Sequence, residues 1–436
     1  MLLIYSSNNT PRKKYIFNLF FDELVQVSFR ITDDKVQYIN ATGPKLNYST
    51  NPICSKELFI ESCNLLDEKG ISEQEIEIST YQEIPIFFSS SHQDAAFPFD
   101  LFACSFYLVS RYEEYLPHVK DNLDRYMPEN SLAYKNGFLQ KPIVNIWCAL
   151  MIAKLKKAYN DLEIKQNEFK YISTIDIDTA FRYKGKGFVR TIAFFTKSFF
   201  RGDFEEMKQA ILVLMQKRKD PFDTYSLQFN LQKKYKIDVI YFLLIADYGV
   251  NDKNLSYTNR SFQILIKRLS DMASIGIHPS YGSNTDATKL PVEIVRLQNT
   301  IKREIVKSRQ HFLQLSLPKT YRKLIAQGIT DDYTMGYASE MGFRAGIANS
   351  FTFYDLDMEQ ILPIKIHPFS LLDATLKFYK NYEQEKALIA IEQLINEVKS
   401  VNGTLISVWH NETFSDYGDW NGWRHVYEEM IKRIVR

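Results

Sequence analysis

Two aspartates at the end of an apolar run are the residues of this chain best suited to chemistry. Asp176 and Asp178 close the segment Tyr171–Asp178, whose residue pattern predicts a β-strand. Side chains along a strand alternate between two faces, so both carboxylates point the same way and Ile177 points the other way. Two such carboxylates need a metal ion, an arginine or a shared proton beside them. The pair is therefore a candidate catalytic centre.

Other polar residues lie where further apolar runs end. His278 follows Ser274–Ile277, His410 follows Thr404–Trp409, and Arg309 and His311 lie together later in the chain. Carboxylate and imidazole groups suit a divalent cation, which lowers the pKa of its water towards about 7 and polarises an attacked carbonyl. Zinc fits mixed nitrogen and oxygen ligands best, while manganese, iron and cobalt stay open. A free carboxylate could then act as the base and a histidine as the acid.

The elements that must position these residues form a repeating pattern after residue 170. Apolar runs of strand type alternate with helical patterns, which is typical of β/α units. The expected fold of residues 166–436 is a (β/α) barrel, in which functional residues gather at the carboxyl ends of the strands. The strands predicted there are Tyr171–Asp176, Val239–Ala246, Ser274–His278, Gln310–Leu315, Thr334–Tyr337, Ile347–Phe353, Leu362–Ile366 and Thr404–Trp409.

Residues 1–165 have a different pattern of apolar runs, which predicts a smaller, mixed α/β domain before the barrel. Short strand-like runs are predicted at Leu2–Ser6, Val25–Ile31, Val36–Ile39, Glu75–Ser79 and Ile84–Ser89, and helices at Tyr15–Leu24, Phe99–Leu116 and Ile143–Asn160. The charged and aromatic segment Ser110–Tyr115 is a candidate contact with the next domain. No chemistry is evident in this part of the chain, so its role is left open.

Composition excludes some classes of function. The 436 residues carry 54 basic and 52 acidic side chains, a formal charge of +2, which gives no support for nucleic-acid binding. The four cysteines show no zinc-ligand spacing and suggest reduced thiols. No apolar stretch is long enough for a membrane span, and the first residues do not look like a signal peptide. We therefore expect a cytoplasmic protein.

The order of these residues resembles the polysaccharide deacetylase superfamily. The matching stretches are Thr174–Asp178, Ile275–His278, Arg309 and the late strand that ends at His410. The resemblance implies a distorted (β/α) barrel of seven or eight strands that removes acetyl groups from N-acetylated sugars. Residue by residue, it implies that Asp176 is the base, Asp178 and His278 are metal ligands, Arg309 orients the base and His410 is the acid.

The chain resembles a Bacteroidetes-type branch of such proteins, which carry an N-terminal domain of unknown function. The segments that support this are Ser110–Tyr115, Asp332–Tyr337 and Gly342–Gly346. The pattern also departs from the superfamily, because Ile177 separates the two acids. Four residues on either side of His278, no second histidine is present. His311 is the best candidate for the third metal ligand.

Three further residues are candidates for binding the substrate, and two other functions stay open. Asp332 and Arg344 come from the segments just named, and Trp409 could form a wall for a sugar ring. The leading hypothesis is a metal-dependent hydrolase acting on an aminosugar or a related amide. A glycosidase would use Asp176 and Asp178 but leave the histidines unexplained. The other alternative is a non-catalytic carbohydrate-binding or assembly protein on a degraded barrel.

Overall fold

The computed structural model describes residues 1–55, 57–165 and 167–435. Within these ranges the strands are β1 Leu2–Tyr5, β2 Phe29–Thr32, β3 Lys45–Ser49, β4 Leu58–Glu61, β5 Ser79–Tyr81, β6 Ile84–Ile86, β7 Lys170–Ile177, β8 Asp238–Leu243, β9 Ser274–Ile277, β10 Lys307–Ser308, β11 Asp331–Asp332, β12 Phe351–Asp355, β13 Gln360–Ile366, β14 Leu371–Leu372 and β15 Thr404–His410. The α-helices are α1 Pro11–Phe17, α2 Lys35–Asn40, α3 Leu101–Val109, α4 Leu132–Lys135, α5 Ile143–Ala158, α6 Gly187–Arg201, α7 Phe204–Leu214, α8 Tyr225–Tyr235, α9 Arg260–Met272, α10 Lys289–Ile301, α11 Lys319–Ile325, α12 Gln384–Ser400 and α13 Trp423–Val435.

The first sheet has four parallel strands in the order β2-β1-β3-β4. A separate hairpin is formed by β5 and β6. Parallel strands need connections over the sheet faces, and helices cover those faces. Helix α3 is buried along its whole length, because Leu101–Val109 is apolar almost throughout and the carboxylate of Asp100 caps its first turn.

The second sheet positions the predicted site. Its nine strands run in the order β12-β13-β11-β10-β9-β8-β7-β15-β14, and only β12 is antiparallel to its neighbour. Strand β7 lies between β8 and β15, and its last five residues, Ser173–Ile177, are all buried. All parallel strands present their carboxyl ends at one edge, where β7, β9, β10 and β15 deliver the aspartates and histidines.

The architecture is therefore mixed α/β with parallel sheets. The expected barrel is not closed, because the hydrogen-bonded ladder of the described strands is open between β12 and β14. Residue 166, where the second predicted domain begins, lies outside the described residues. The two sheets share one continuous hydrophobic core, to which both halves of the chain contribute.

Several predicted strands have another conformation. Val36–Ile39 was expected to be a strand but lies in helix α2, because the carboxylate of Asp34 accepts the N–H groups of Val36 and Gln37 and caps a helix there. Gln310–Leu315 contains a 3-10 turn at His311–Leu313 in place of the predicted strand. Strand β10 ends before it, and Phe312 takes a left-handed φ of 58° that breaks any extended run.

Buried ion pairs join the two halves of the chain. Arg344 donates to both carboxylate oxygens of Glu114, at 2.8 and 2.6 Å, and Arg111 donates to the same carboxylate at 2.7 Å. All three side chains are almost fully buried. Glu114 lies in the segment Ser110–Tyr115, so the expected contact of this segment with the rest of the chain is present.

Throughout residues 1–55, 57–165 and 167–435, no helix has the length and apolar character needed to cross a bilayer.

Candidate metal centre

Asp178, His278 and His311 converge at the carboxyl edge of the second sheet. Each follows a strand, β7, β9 or β10, within three residues of its end. The Nε2 atom of His278 lies 3.3 Å from one carboxylate oxygen of Asp178, and Nε2 of His311 lies 3.5 Å from the other. One ligand atom from each residue lies within 4.8 Å of the other two, so the three residues could hold a metal ion.

The donor set fits a divalent cation. Ligand atoms about 2.0–2.2 Å from a tetrahedral centre are separated by about 3.3–3.5 Å. The Nε2 atoms of His278 and His311 lie at such distances from the two different carboxylate oxygens of Asp178. One carboxylate oxygen of Asp178 is buried and accepts no hydrogen bond from the residues that the structure describes. Burial alone would raise the pKa of Asp178, but the imidazoles of His311 and His278 outweigh it and hold that pKa well below its usual range. An ionised carboxylate with a free buried oxygen is suited to a cation.

Outer hydrogen bonds orient both imidazoles. Nδ1 of His311 lies 2.9 Å from a carboxylate oxygen of Asp252, and Nδ1 of His278 lies 2.5 Å from the backbone carbonyl oxygen of Arg309. In each ring Nδ1 is thus occupied, and Nε2 is the atom that faces Asp178. This arrangement is the usual support of histidine ligands in metal sites. Asp252 was not found from the sequence, because it lies 59 residues from His311 in a loop without a motif.

Asp252 provides the first test of the centre. We expect Asp252→Asn to weaken zinc affinity about 10- to 100-fold, because His311 loses the carboxylate that orients and polarises it. Calorimetric titration of the metal-free protein measures this change. The control is Asp247→Asn in the same loop, whose exposed carboxylate pairs with Arg296 and should leave zinc affinity unchanged. Equal affinity of the Asp252 variant and the parent protein would contradict the assigned role of Asp252.

Asp176 lies beside the cluster and is held by an arginine. Nη1 of Arg309 donates to one carboxylate oxygen of Asp176 at 3.1 Å, and the other oxygen lies 3.8 Å from Nε2 of His278. Both side chains are buried, and the guanidinium stacks on the ring of Phe242. Arg309 therefore fixes Asp176 while leaving one of its oxygens directed towards the cluster.

His410 approaches from the other side of β7. In the sheet order β15 follows β7, whereas β9 and β10 lie beyond β8. Nε2 of His410 lies 3.8 Å from Asp178, and its Nδ1 lies 2.8 Å from a carboxylate oxygen of Asp373. Burial would lower the pKa of His410, but Asp373 outweighs it, so the pKa is raised well above its ordinary value. Asp373 also accepts the hydroxyl of Thr413.

These groups open into a cleft of about 350 Å³. Its wall is partly apolar and includes Phe312, Leu372 and Phe378. The earlier part of the chain contributes Arg125, which bonds the backbone oxygen of Phe312 at 3.1 Å and the hydroxyl of Tyr379 at 3.2 Å. No sequence motif marks Arg125. A second groove of about 430 Å³ shares Arg125 and Tyr379 and extends the cleft along residues 121–129.

The three residues predicted to bind substrate do not line the 350 Å³ cleft. Trp409 is fully buried in the core, where its indole N–H donates to the Ser407 hydroxyl, so it does not form a wall of the cleft. Asp332 is also buried and accepts the hydroxyl of Ser308 at 2.7 Å. Arg344 lines the second groove while paired with Glu114. The six residues predicted for the base, the acid, the orienting arginine and the metal, in contrast, lie together.

Comparison with known protein families covers only the first part of the chain. The model of a family of unknown function, DUF7033, matches residues 2–160. This region contains the first sheet and helices α1–α5 and ends before β7. No curated protein matches the chain.

The solved structures to which the chain is similar have low sequence identity to it. The chain is similar to a protein from Mycobacterium smegmatis described as a polysaccharide deacetylase, with 13% identity, a TM-score of 0.41, and coverage of 62% of this chain and 84% of that one. It is also similar to the Puue allantoinase, with 10% identity, a TM-score of 0.37, and coverage of 60% of this chain and 83% of that one. For the polysaccharide deacetylase Bc1974 of Bacillus cereus the identity is 11%, the TM-score 0.29, and the coverage 60% of this chain and 87% of that one. The assignment of chemistry therefore depends on the geometry of this chain.

Proposed function

We propose that the protein is a metal-dependent hydrolase that removes an acetyl group from an N-acetylated sugar or a related amide. The observation that carries this proposal is the convergence of Asp178, His278 and His311, with Asp176 and His410 beside them in one cleft. A glycosidase would need only the two aspartates. The three histidines are accounted for when a metal and an acid are both required.

The three residues of the cluster would hold the cation, and zinc suits their oxygen and nitrogen donors. Bound there, the metal would supply Lewis-acid polarisation of the amide carbonyl and an acidified water. Asp176 takes the proton of the attacking water on its oxygen that faces the cluster. Arg309 holds the other oxygen and keeps the carboxylate in place.

His410 has the role of the acid. Because Nδ1 lies against Asp373, Nε2 is the atom that faces the cleft and can protonate the leaving nitrogen. The buried carboxylate of Asp373 also accepts the backbone N–H of His410 at 2.7 Å, so it fixes both the ring and the strand end. The apolar wall with Phe312 and Phe378 suits one face of a sugar ring.

Asp373 allows the acid to be tested apart from the metal. We expect Asp373→Asn to lower kcat about 100-fold, at the low end of the effect of a general acid, while zinc affinity stays within a factor of two of the parent. The reason is that His410 loses the carboxylate that orients it and stabilises its protonated form. Steady-state kinetics and calorimetric zinc titration of the same preparation measure the two quantities. A parallel loss of zinc affinity would contradict the separation of the two roles.

The decisive test of the function is acetate release. Metal-free protein is assayed on N-acetylglucosamine oligomers before and after addition of zinc, with Asp176→Asn as the control that should keep the metal and lose activity. Metal-dependent acetate release by the parent protein but not by Asp176→Asn supports the hydrolase. Zinc binding without release from any acetylated aminosugar would favour the alternative, a non-catalytic carbohydrate-binding protein.

The wider assignment follows from the same proposal. The open second sheet would correspond to a distorted (β/α) barrel of the polysaccharide deacetylase superfamily, in residues 166–436. Residues 1–165 would form the smaller domain that closes one side of the cleft through Arg125. The expected cytoplasmic location remains part of this proposal and would suggest a precursor or a glycoconjugate intermediate as the substrate.

A further inference from the structure

Helices α6 and α7 display an apolar surface that no other described segment of the chain covers. Phe188 and Phe200 are 80% and 82% exposed. The other large exposed apolar residues of this surface are Val189, Ile192, Phe199, Phe204, Ile211, Leu214 and Met215. Phe199 of α6 lies against Phe204 of α7, with ring centroids 6.2 Å apart, which joins the exposed residues of the two helices. Isolated exposed apolar side chains are normal, but a group of this size marks an interaction surface. We call these nine residues the α6–α7 apolar face.

Helix α6 has three distinct sides. At about 100° per residue, its exposed apolar side chains, from Phe188 to Phe200, fall within about 120° of the helix circumference. Arg190, Lys197 and Arg201 occupy the adjoining sector. The remaining sector holds Ser198 and the half-buried Phe194 and Phe195, which pack on the cluster of Tyr183, Ala210 and Val213. The helix is thus attached by this side and, through Arg190, by part of the adjoining sector, and it presents its apolar side to its surroundings.

The charge near this surface indicates what covers it. Residues 184–219 contain nine lysines and arginines but three acidic residues, which gives +6 in a chain whose total charge is +2. A second copy of the same surface would bring two strongly positive regions together, which disfavours self-association. Exposed phenylalanines bordered by cations are, in contrast, the composition of helices that lie in the interface of anionic membranes.

The helix pair is also fixed relative to the catalytic cleft. It begins nine residues after Asp178, and Nη2 of Arg182 bonds Glu206 at 2.8 Å. The hydroxyl of Tyr183 lies 3.1 Å from that of Tyr417, in the segment that follows β15 and His410. Arg190 ties the helix to the loop after β8 through the backbone oxygens of Asn254 and Lys253. The apolar face is therefore held beside the same sheet edge as the cluster.

We propose that the α6–α7 apolar face docks the protein on the surface of an anionic lipid bilayer. The phenylalanines enter the boundary between headgroups and acyl chains, and Lys197 and Arg201 contact lipid phosphates. The attachment is peripheral. It does not depend on the proposed hydrolase activity, because it uses neither the cluster nor the cleft.

Vesicle sedimentation of the full chain tests this proposal. We expect binding to vesicles of phosphatidylglycerol and phosphatidylcholine, weaker binding to phosphatidylcholine alone, and loss of binding at high salt. Phe188→Ser combined with Phe200→Ser should lower vesicle affinity more than about tenfold. Lys197→Glu combined with Arg201→Glu should have an effect of similar size.

The matched control is Val292→Ser combined with Ile389→Ser, two exposed apolar positions on α10 and α12 that should leave vesicle binding unchanged. Equal melting temperatures of all variants confirm that the fold is intact, and the charge variant remains as the test should the serine variant fail to fold. Three results would overturn the proposal: no binding of the parent to anionic vesicles, equal binding to both vesicle types, or unchanged binding of the variants. A dimer that the serine variant abolishes would instead assign the face to self-association and also overturn it.

Discussion

Asp178→Asn is expected to lower zinc affinity more than about 100-fold and to abolish metal-dependent acetate release. Loss of an outer-shell partner alone costs about 10- to 100-fold in metal affinity, and Asp178 is the residue that both His278 and His311 face. Asparagine keeps the size of the side chain but removes the negative charge that attracts the cation. Calorimetric titration of metal-free protein measures the affinity.

A matched control is Asp331→Asn. Asp331 also lies in a strand of the second sheet, β11, and bonds a histidine, His367, at 2.7 Å, but this pair lies outside the cluster. The zinc affinity of the Asp331→Asn variant should equal that of the parent protein. If the Asp178 variant bound zinc as tightly as the Asp331 variant did, the metal centre would not be where we place it.

Glu114→Gln is expected to destabilise the protein by about 3–5 kcal/mol. Glu114 is the shared partner of Arg344 and Arg111, and its loss leaves buried guanidinium charge without its carboxylate. Chemical unfolding measures the free energy. The control is Glu397→Gln, whose pair with Lys141 also joins the two halves of the chain but is exposed. That change should cost about 1 kcal/mol or less.

The same carboxylate predicts a pH dependence. Burial would raise the pKa of Glu114, but Arg344 and Arg111 outweigh it and lower this pKa from its ordinary 4.5 to about 2. Because the folded-state pKa is the lower one, the stabilisation is complete above about pH 4.5 and is lost as the pH falls towards 2. The difference corresponds to about 3 kcal/mol. Glu114→Gln should remove this part of the pH dependence of the free energy of unfolding. The same pH dependence in the variant and the parent would contradict the assigned role of Glu114.

The candidate site could be predicted where one of its residues ends or directly follows an apolar strand. Asp176 and Asp178 at the end of β7, His278 after β9 and His410 at the end of β15 are such cases. Each strand there has at least four residues, so the apolar pattern marks its end. Strand alternation also shows why Trp409 does not join His410, since neighbouring residues of a strand point to opposite faces.

Short elements and tertiary contacts could not be predicted in this way. Strand β10 has two residues, too few for a period-two pattern, so the strand was expected at Gln310–Leu315, beyond its actual position. The left-handed Phe312 that ends the extended run has no signature in its own residue type. Asp252 and Arg125 reach the site from distant segments, and only packing brings them to His311 and Phe312.

The two halves of the chain illustrate the same limit. Ser110–Tyr115 and Gly342–Gly346 could each be recognised as unusual segments, but the sequence did not show that Glu114 of one binds Arg344 of the other. Arg344 was therefore expected to contact substrate. Its guanidinium instead donates to the buried carboxylate of Glu114 and to the backbone oxygen of Gly336.

The location of a bound metal tests the central claim most directly. Crystals of the protein soaked in zinc and measured at the zinc absorption edge should show an anomalous peak about 2.0–2.2 Å from a carboxylate oxygen of Asp178 and from Nε2 of His278 and His311. Crystals of Asp178→Asn should lack this peak. An absence of anomalous signal at these residues in the parent protein, or a peak only at another position, would contradict the account.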